Sequence, residues 1–431
     1  MNFVKGTCSL AIVGLLAACG GGSDGGSSAL LQEQQLSLQT VKHNYCGVES
    51  PIANIKVLFH NQSGDVINEY ATDQQGQLQV DWPSNAKHVT VAGDDYYTDG
   101  SKNLYLITEL DVEAGDLGEI PFLAFNDQAG CNCHKVDIDL QQLINEAPDS
   151  SLYIGSSYLQ LTSGTTSMSK TWCDNYDGIS IQLIAADNSS SMAGDINLSN
   201  VNNLSLTLED FTSPGVEVNV DWGNHITRAY AKEGWSNTNL LHGGYVPVFI
   251  YPGLTSNNYV RYHELDEAHV GNATAEFYTY SYTKVDSEGE ITNDLQPWEL
   301  SNNFTDALYK VLTSFASNQL PYQYDFSNAD NNIAFTRIAL LGAIDTGSAE
   351  WIFSGGVSGE IPDFDLTEAL EAELASLHSA ALRVSLRGYS GYKPLNEWRK
   401  LRAAMNEMDN SYLSPLNDES RFMEFTFELD R

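Results

Sequence analysis

Apolar and polar residues alternate with a period of two along most of this chain. Ile55, Val57 and Phe59 alternate with Lys56, Leu58 and His60, and the turn Asn61-Gln62-Ser63-Gly64-Asp65 follows. Val66 to Ala71 comes next, then Thr72-Asp73-Gln74-Gln75-Gly76, Leu78 with Val80, Pro83, and Val89 with Val91. Such alternation between Gly, Asn and Asp turns predicts an antiparallel sheet with one buried face, assigned to residues 42–125. Residues 126–300 keep the pattern: Val136, Ile138 and Leu140; Ile179, Ile181 and Leu183; Leu204, Leu206 and Leu208; Val216, Val218, Val220 and Trp222. Turn signals such as Asp177-Gly178 and Gly223-Asn224 separate these runs, a spacing that predicts a sandwich or barrel rather than βαβ units.

Residues 301–431 mix periods. Phe304, Leu308, Val311, Leu312 and Phe315 share one side of a helix expected over 303–317. Further helices are expected over 366–377 and over 395–408, the last with Pro394 at its start. Leu382, Val384 and Leu386 alternate as a strand, as do Met423, Phe425, Phe427 and Leu429. The expected fold class is therefore mainly β and multidomain. A small N-terminal β-sandwich is followed by a β-rich region, and an α+β C-terminal region packed with it carries about three helices.

One cation, Lys5, precedes an apolar run from Leu10 to Ala18, and Leu16-Ala17-Ala18-Cys19 leads into Gly20-Gly21-Gly22-Ser23-Asp24-Gly25-Gly26-Ser27-Ser28. These residues resemble the signal peptide and lipobox of bacterial lipoproteins. The resemblance implies that residues 1–18 are removed and that Cys19 becomes an N-terminus carrying three fatty chains. Because Gly20 rather than aspartate follows, it also implies delivery to the outer membrane. The apolar run is far shorter than the roughly 20 residues a membrane-crossing helix needs, whereas several acyl chains together anchor stably. Residues 19–41, glycine- and serine-rich and then polar through Gln32-Glu33-Gln34-Gln35, are expected to be a lipidated flexible tether. Over about residues 50–95, the succession of strand, turn, strand, Thr72-Asp73-Gln74-Gln75-Gly76, strand, proline and strand resembles the transthyretin-like sandwich, also found as the carboxypeptidase regulatory-like domain. That resemblance implies a spacer or binding accessory with no catalytic residues to transfer.

Charge narrows the partners. With 21 Lys and Arg against 57 Asp and Glu, the net charge is −36. Such a surface repels nucleic-acid phosphates and anionic head groups, so no nucleic-acid partner is expected and the lipid makes the membrane contact. Of six cysteines, Cys8 leaves with the signal and Cys19 is acylated. Cys46, Cys131, Cys133 and Cys173 remain, enough for two disulfides in an oxidising compartment. Cys131 and Cys133 flank a single residue and would strain a mutual bridge, so one is expected to meet Cys46 and the other Cys173, in either order. A zinc site built on Cys131-Asn132-Cys133-His134 is disfavoured, because structural zinc spaces its cysteines two to four apart.

The candidates for chemistry are few. His263-Glu264-Leu265-Asp266-Glu267-Ala268-His269 separates its histidines by six positions, where a zinc-protease helix needs four. It is expected to be a solvated acidic hairpin loop between strands. Gly355–Gly359 and Gly388–Gly391 miss the nucleophile-elbow spacing, and Ser167 with Lys170 or Ser281 with Lys284 lack companion motifs. With no catalytic set, enzymatic activity is left open and leans to none; a lipid-anchored hydrolase of glycans or peptides using paired carboxylates is the alternative. Asp94-Asp95 with Asp99, and Asp174 with Asp177, offer oxygens for calcium, although turn chemistry accounts for them as well. Tyr278, Tyr280 and Tyr282 share one face of a strand, opposite Phe277, Thr279, Ser281 and Thr283. Exposed, such a row stacks on sugars or grips a protein partner; buried, it fills a core.

The expected function is that of an outer-membrane lipoprotein presenting non-catalytic β domains to a glycan or envelope protein. Replacing Cys19 with alanine is expected to shift the protein from the membrane pellet to the soluble fraction; retention in the pellet contradicts an acyl anchor.

Overall fold

The computed structural model describes residues 35–155, 157–173, 178–220, 226–231, 242–244, 247–293, 295–317, 319–405 and 419–429. Cys19, the signal and most of the expected tether lie outside the described residues. The fold is mainly β, as the alternation predicts.

Residues 133–214 form a compact sandwich. Strands Cys133–Asp139, Ser167–Cys173 and Asn203–Ser205 make one sheet. Ser151–Ile154, Ser157–Gln160, Ile179–Ile184, Ser191–Ile196 and Ser213–Pro214 make the other. Helix α1, Gln141–Glu146, joins the first sheet to the second. Val136, Ile138, Leu152, Ile181, Leu206 and Phe211 fill the space between. Both expected disulfides form, and their order is now fixed: Cys46 pairs with Cys131, and Cys133 with Cys173, which lies directly opposite it on the neighbouring strand. The zinc alternative is thereby removed.

Most remaining strands join one sixteen-stranded sheet. Its N-terminal members are β1 Gln35–Asn44, β2 Glu49–Pro51, β3 Lys56–His60, β4 Val66–Ala71, β5 Gln77–Asp81, β6 His88–Tyr96, β7 Lys102–Glu109 and β8 Gly115–Ala124. Its C-terminal members are β9 Asn258–Val270, β10 Ala273–Val285, β11 Ile333–Ile344, β12 Gly347–Gly355, β13 His378–Tyr389 and β14 Ser420–Leu429, and two short strands, Ile226–Ala231 and His242–Gly244, extend it beyond β9. They run in the order β9-β10-β14-β13-β11-β12-β7-β6-β8-β1-β2. Strands β12 and β7 pair in parallel from Gly347 opposite Lys102 to Ser354 opposite Glu109. Between β6 and β8 the contact is one residue pair, Tyr96 with Ala124, and the sheet folds over there. Leu36, Leu38, Val57, Phe59, Val91, Ile107, Phe122 and Ile352 pack together inside the fold.

Helices cover the other face. On α2, Asn302–Ala316, Phe304, Leu308 and Val311 pack against Phe277, Ile338, Val384 and Phe425. On α3, Glu368–Leu374, Leu370 covers Leu58, Leu104 and Leu106. Helix α4, Leu395–Met405, lies instead on the face away from α2, where it sets Trp398 against Phe335 and Tyr389. Burying each large apolar side chain in this way contributes about 1.5–3 kcal/mol.

Three expected divisions shift. The tether does not reach residue 41, because β1 begins at Gln35 and buries Leu36, Leu38 and Val41. Nor do residues 42–125 close a sheet of their own: the parallel β7–β12 ladder merges them with the C-terminal region. The 126–300 region divides as well, since β9 and β10 belong to the large sheet.

A buried ion cluster holds α4 in place. Glu109, at the end of β7, is 1% exposed. Its Oε2 accepts hydrogen bonds from Arg399 Nε and Nη2 at 3.0 and 2.9 Å, and its Oε1 accepts one from Arg402 Nη1 at 3.0 Å. Arg399 Nη2 also donates to the Leu110 carbonyl at 2.8 Å, and Arg402 Nε to the Leu117 carbonyl at 3.0 Å. Burial alone would raise the Glu109 pKa, but Arg402, Arg399 and Arg337 outweigh it and hold the carboxyl at about 2. Substitution Glu109→Gln is expected to cost about 3–5 kcal/mol in urea denaturation, because two guanidinium groups are left buried without their counter-charge. A loss below about 1 kcal/mol would show that α4 is held by packing instead.

Candidate functional site

The face of the large sheet opposite α2 changes character along its width. Beneath the fold-over it is apolar, through Ala339 and Ile352. Beyond that point it carries rings and guanidinium groups. On β10 the inward side chains Phe277, Thr279, Ser281 and Thr283 are buried, whereas Tyr278, Tyr280 and Tyr282 are half-buried on the outward side. Cross-strand register extends the row: Arg261 on β9 lies opposite Tyr282, Phe422 on β14 opposite Tyr280, Arg387 on β13 opposite Phe422, and Phe335 on β11 opposite Arg387.

The contacts are dense. The Arg261 guanidinium sits 4.7 Å from the Tyr280 ring centre and 5.7 Å from those of Tyr278 and Tyr282. Tyr280 stacks on Phe422 with centroids 4.9 Å apart, and Arg387 Nη2 donates to the Tyr280 hydroxyl at 3.3 Å. Arg387 lies 5.7 Å from the Phe422 ring centre. Arg337 lies 5.6 Å from Phe335 and 5.8 Å from Trp398, and Arg402 covers Trp398 at 4.9 Å. Each such cation–π contact contributes about 0.5–1 kcal/mol and fixes the plane of the guanidinium. Carboxylates at this face engage a different arginine: Glu350 and Glu424 both approach Arg383, at 3.2 and 3.8 Å. Among the described residues, no carboxylate oxygen lies within salt-bridge distance of Arg337 or Arg387. The arrangement presents oriented N–H donors carrying positive charge, a chemistry suited to carboxylate or phosphate oxygens.

Other expected residues lie elsewhere. His263 to His269 is no loop. It continues β9, which pairs with β10 from Asn258 to Val270, and the chain turns at Gly271, whose φ of +62° suits a tight hairpin. The strand returns to the core at Ala268 and Val270, but between Tyr262 and Ala268 the same-side positions are the acids Glu264 and Asp266 while Leu265, on the other side, is 71% exposed, so the apolar alternation that signals a strand is interrupted there. The first calcium expectation fails on geometry. Asp94 pairs with Lys102 at 3.0 Å, and Asp99 accepts hydrogen bonds from Ser101. Asp95 is buried and accepts the Leu123 N–H at 2.7 Å, with burial pushing its carboxyl up to about 6. Asp174 and Asp177 lie outside the described residues. Sequence reasoning missed the arginines of the sheet face, which are scattered from Arg261 to Arg402 and converge only through strand order.

No family model matches the chain, and no curated protein matches it. Among solved structures, a chain of the native conformation of E. coli alpha-2-macroglobulin is similar at 8% identity with a TM-score of 0.12. That likeness covers 84% of this chain and spans 28% of the other, and at so low a score it carries no argument.

A second polar cluster is fully internal. His60 is 0% exposed, with Nδ1 3.0 Å from the Gly64 carbonyl and Nε2 2.9 Å from the Thr90 hydroxyl. Thr90 meets Thr108 at 2.8 Å, and Trp351 Nε1 donates to Thr108 at 2.9 Å. Phe364 packs edge-on against both His60 and His88. Burial lowers both histidines, His60 to about 4 from its ordinary 6.5. The unfolded chain therefore takes up protons first as pH falls. The stability contributed by neutral His60 is complete above about pH 6.5 and is lost between there and about 4, a span worth about 3 kcal/mol. Denaturant titrations at pH 7 and pH 5 are expected to show this decline, with a smaller decline in His60→Gln. Equal slopes would exclude His60 as the group responsible.

Proposed function

We propose that the chain is an envelope lipoprotein, anchored at the outer membrane through acylated Cys19, whose arginine–aromatic sheet face binds an acidic glycan. The lipobox-like residues Leu16-Ala17-Ala18-Cys19 support the anchor. One observation carries the binding reading: in a chain of net charge −36, Arg387 lies half-buried on this face where tyrosine and phenylalanine rings rather than carboxylates surround it, with Arg337, which also acts on Glu109, beside it. Uronic-acid carboxylates or sugar phosphates fit forked donors, and the tyrosine row adjoining them offers flat, amphipathic surface to sugar rings. Many weak contacts along a row suit a repeating polymer, whose affinity grows by multivalency.

An array of acidic and neutral saccharides is expected to retain the protein on acidic ones, with retention falling as salt rises. Arg387→Ala, and the triple change of Tyr278, Tyr280 and Tyr282 to serine, should each weaken binding about tenfold or more while the protein stays folded with a cooperative melt, Tm falling only by the few degrees that the lost cation–π contacts predict. Arg387→Lys should restore part of the loss. Binding unchanged in both variants would exclude this face, and retention by neutral saccharides alone would exclude the acidic class.

A further inference from the structure

A separate cluster lies at the N-terminal end of the large sheet. Strands β1, β2 and β8 are neighbours there, and each supplies one metal-ligating side chain: His43, Glu49 and Glu119. The three ligand atoms all lie within 4.8 Å of one another. His43 and Glu49 are directly opposed in the β1–β2 ladder, with Nε2 4.0 Å from Oε2. Among the described residues, no lysine or arginine pairs with either glutamate. The nearby Lys42 is engaged elsewhere, its ammonium 2.7 Å from Asp127.

We propose that His43, Glu49 and Glu119 bind a divalent transition-metal ion of the zinc type. The donor set argues for that class. An imidazole nitrogen with two carboxylates suits zinc and its first-row neighbours, whereas calcium and magnesium take oxygen donors throughout. Bonds of about 2.0–2.2 Å place donors around one ion about 3–3.5 Å apart. Small rotations of two glutamate side chains close the present separation. The frame is rigid: the Cys46–Cys131 bridge pins the turn after β1, and the Asn44 side-chain oxygen accepts the N–H groups of Cys46 and Val48 at 3.1 and 2.8 Å. Three protein ligands leave a fourth position for water or for a donor from a partner. This site is independent of the arginine–aromatic face and of the anchor.

The test uses the full purified chain, stripped with EDTA and titrated with zinc chloride by calorimetry and thermal melting. One zinc per chain is expected, with Tm rising by about 2 °C or more at saturation. Glu119→Gln and Glu49→Gln should each weaken zinc at least about tenfold; Glu49 is exposed, so its substitution leaves the metal-free protein folded, with a Tm no lower than that of the parent. Calcium should bind at least about 100-fold more weakly. Zinc affinity unchanged in both variants, absence of stoichiometric binding, or calcium binding as tightly as zinc would each overturn the assignment.

Discussion

One carboxylate, Glu109, closes the structure. It stands where β7 meets β12, so it belongs to the N-terminal strands by sequence and to the C-terminal ones by pairing. Arg399 and Arg402 reach it from α4, and in a dry interior their attraction is strong while the cost of removing one partner is large. A helix that would otherwise rest on Trp398 and a few apolar contacts is thereby fixed in register. Through Arg402 and Arg337, which flank Trp398, the same cluster also orders one end of the arginine–aromatic row. The ion cluster and the candidate binding face are thus one mechanical unit.

Local structure was legible because it follows from periodicity. The alternation at Leu382, Val384 and Leu386 and the helical spacing of Phe304, Leu308 and Val311 placed β13 and α2 closely. Glu109 gave no such signal, since a charged residue in a strand reads as a solvent position until its partners, almost three hundred residues later, are known. The continuation of β9 through His263 to His269 was hidden for a related reason: Glu264 and Asp266 take two of the positions on its core side, so the apolar alternation breaks before it resumes at Ala268 and Val270. Sequence also divided the chain at turns, whereas the fold joins it by hydrogen bonds between distant strands. The cysteines fall between these cases, with the pairing partners narrowed by spacing and the order decided by strand register.

The charge of the molecule is unevenly used. Acids dominate the composition, yet where positive charge occurs it is mostly placed with care. Arg399 and Arg402 neutralise a buried acid, Arg383 gathers two half-buried ones, and Arg337 and Arg387 lie against rings. At the far end of the sheet the imbalance is reversed, with two glutamates facing each other beside His43. A cation is the natural complement there, an anion at the arginine row. The two sites ask for opposite ligands at opposite ends of one scaffold.

The parallel ladder between β7 and β12 has a consequence for how the chain is made. A ribosome or secretion channel delivers β7 long before β12, so for that interval β7 offers an unsatisfied row of backbone donors and acceptors. Parallel pairing over such a sequence distance forms slowly, and any second nascent copy presents the same open edge. The great excess of carboxylates then acquires a role unrelated to ligands: mutual repulsion keeps unfinished molecules apart until the last third of each has arrived.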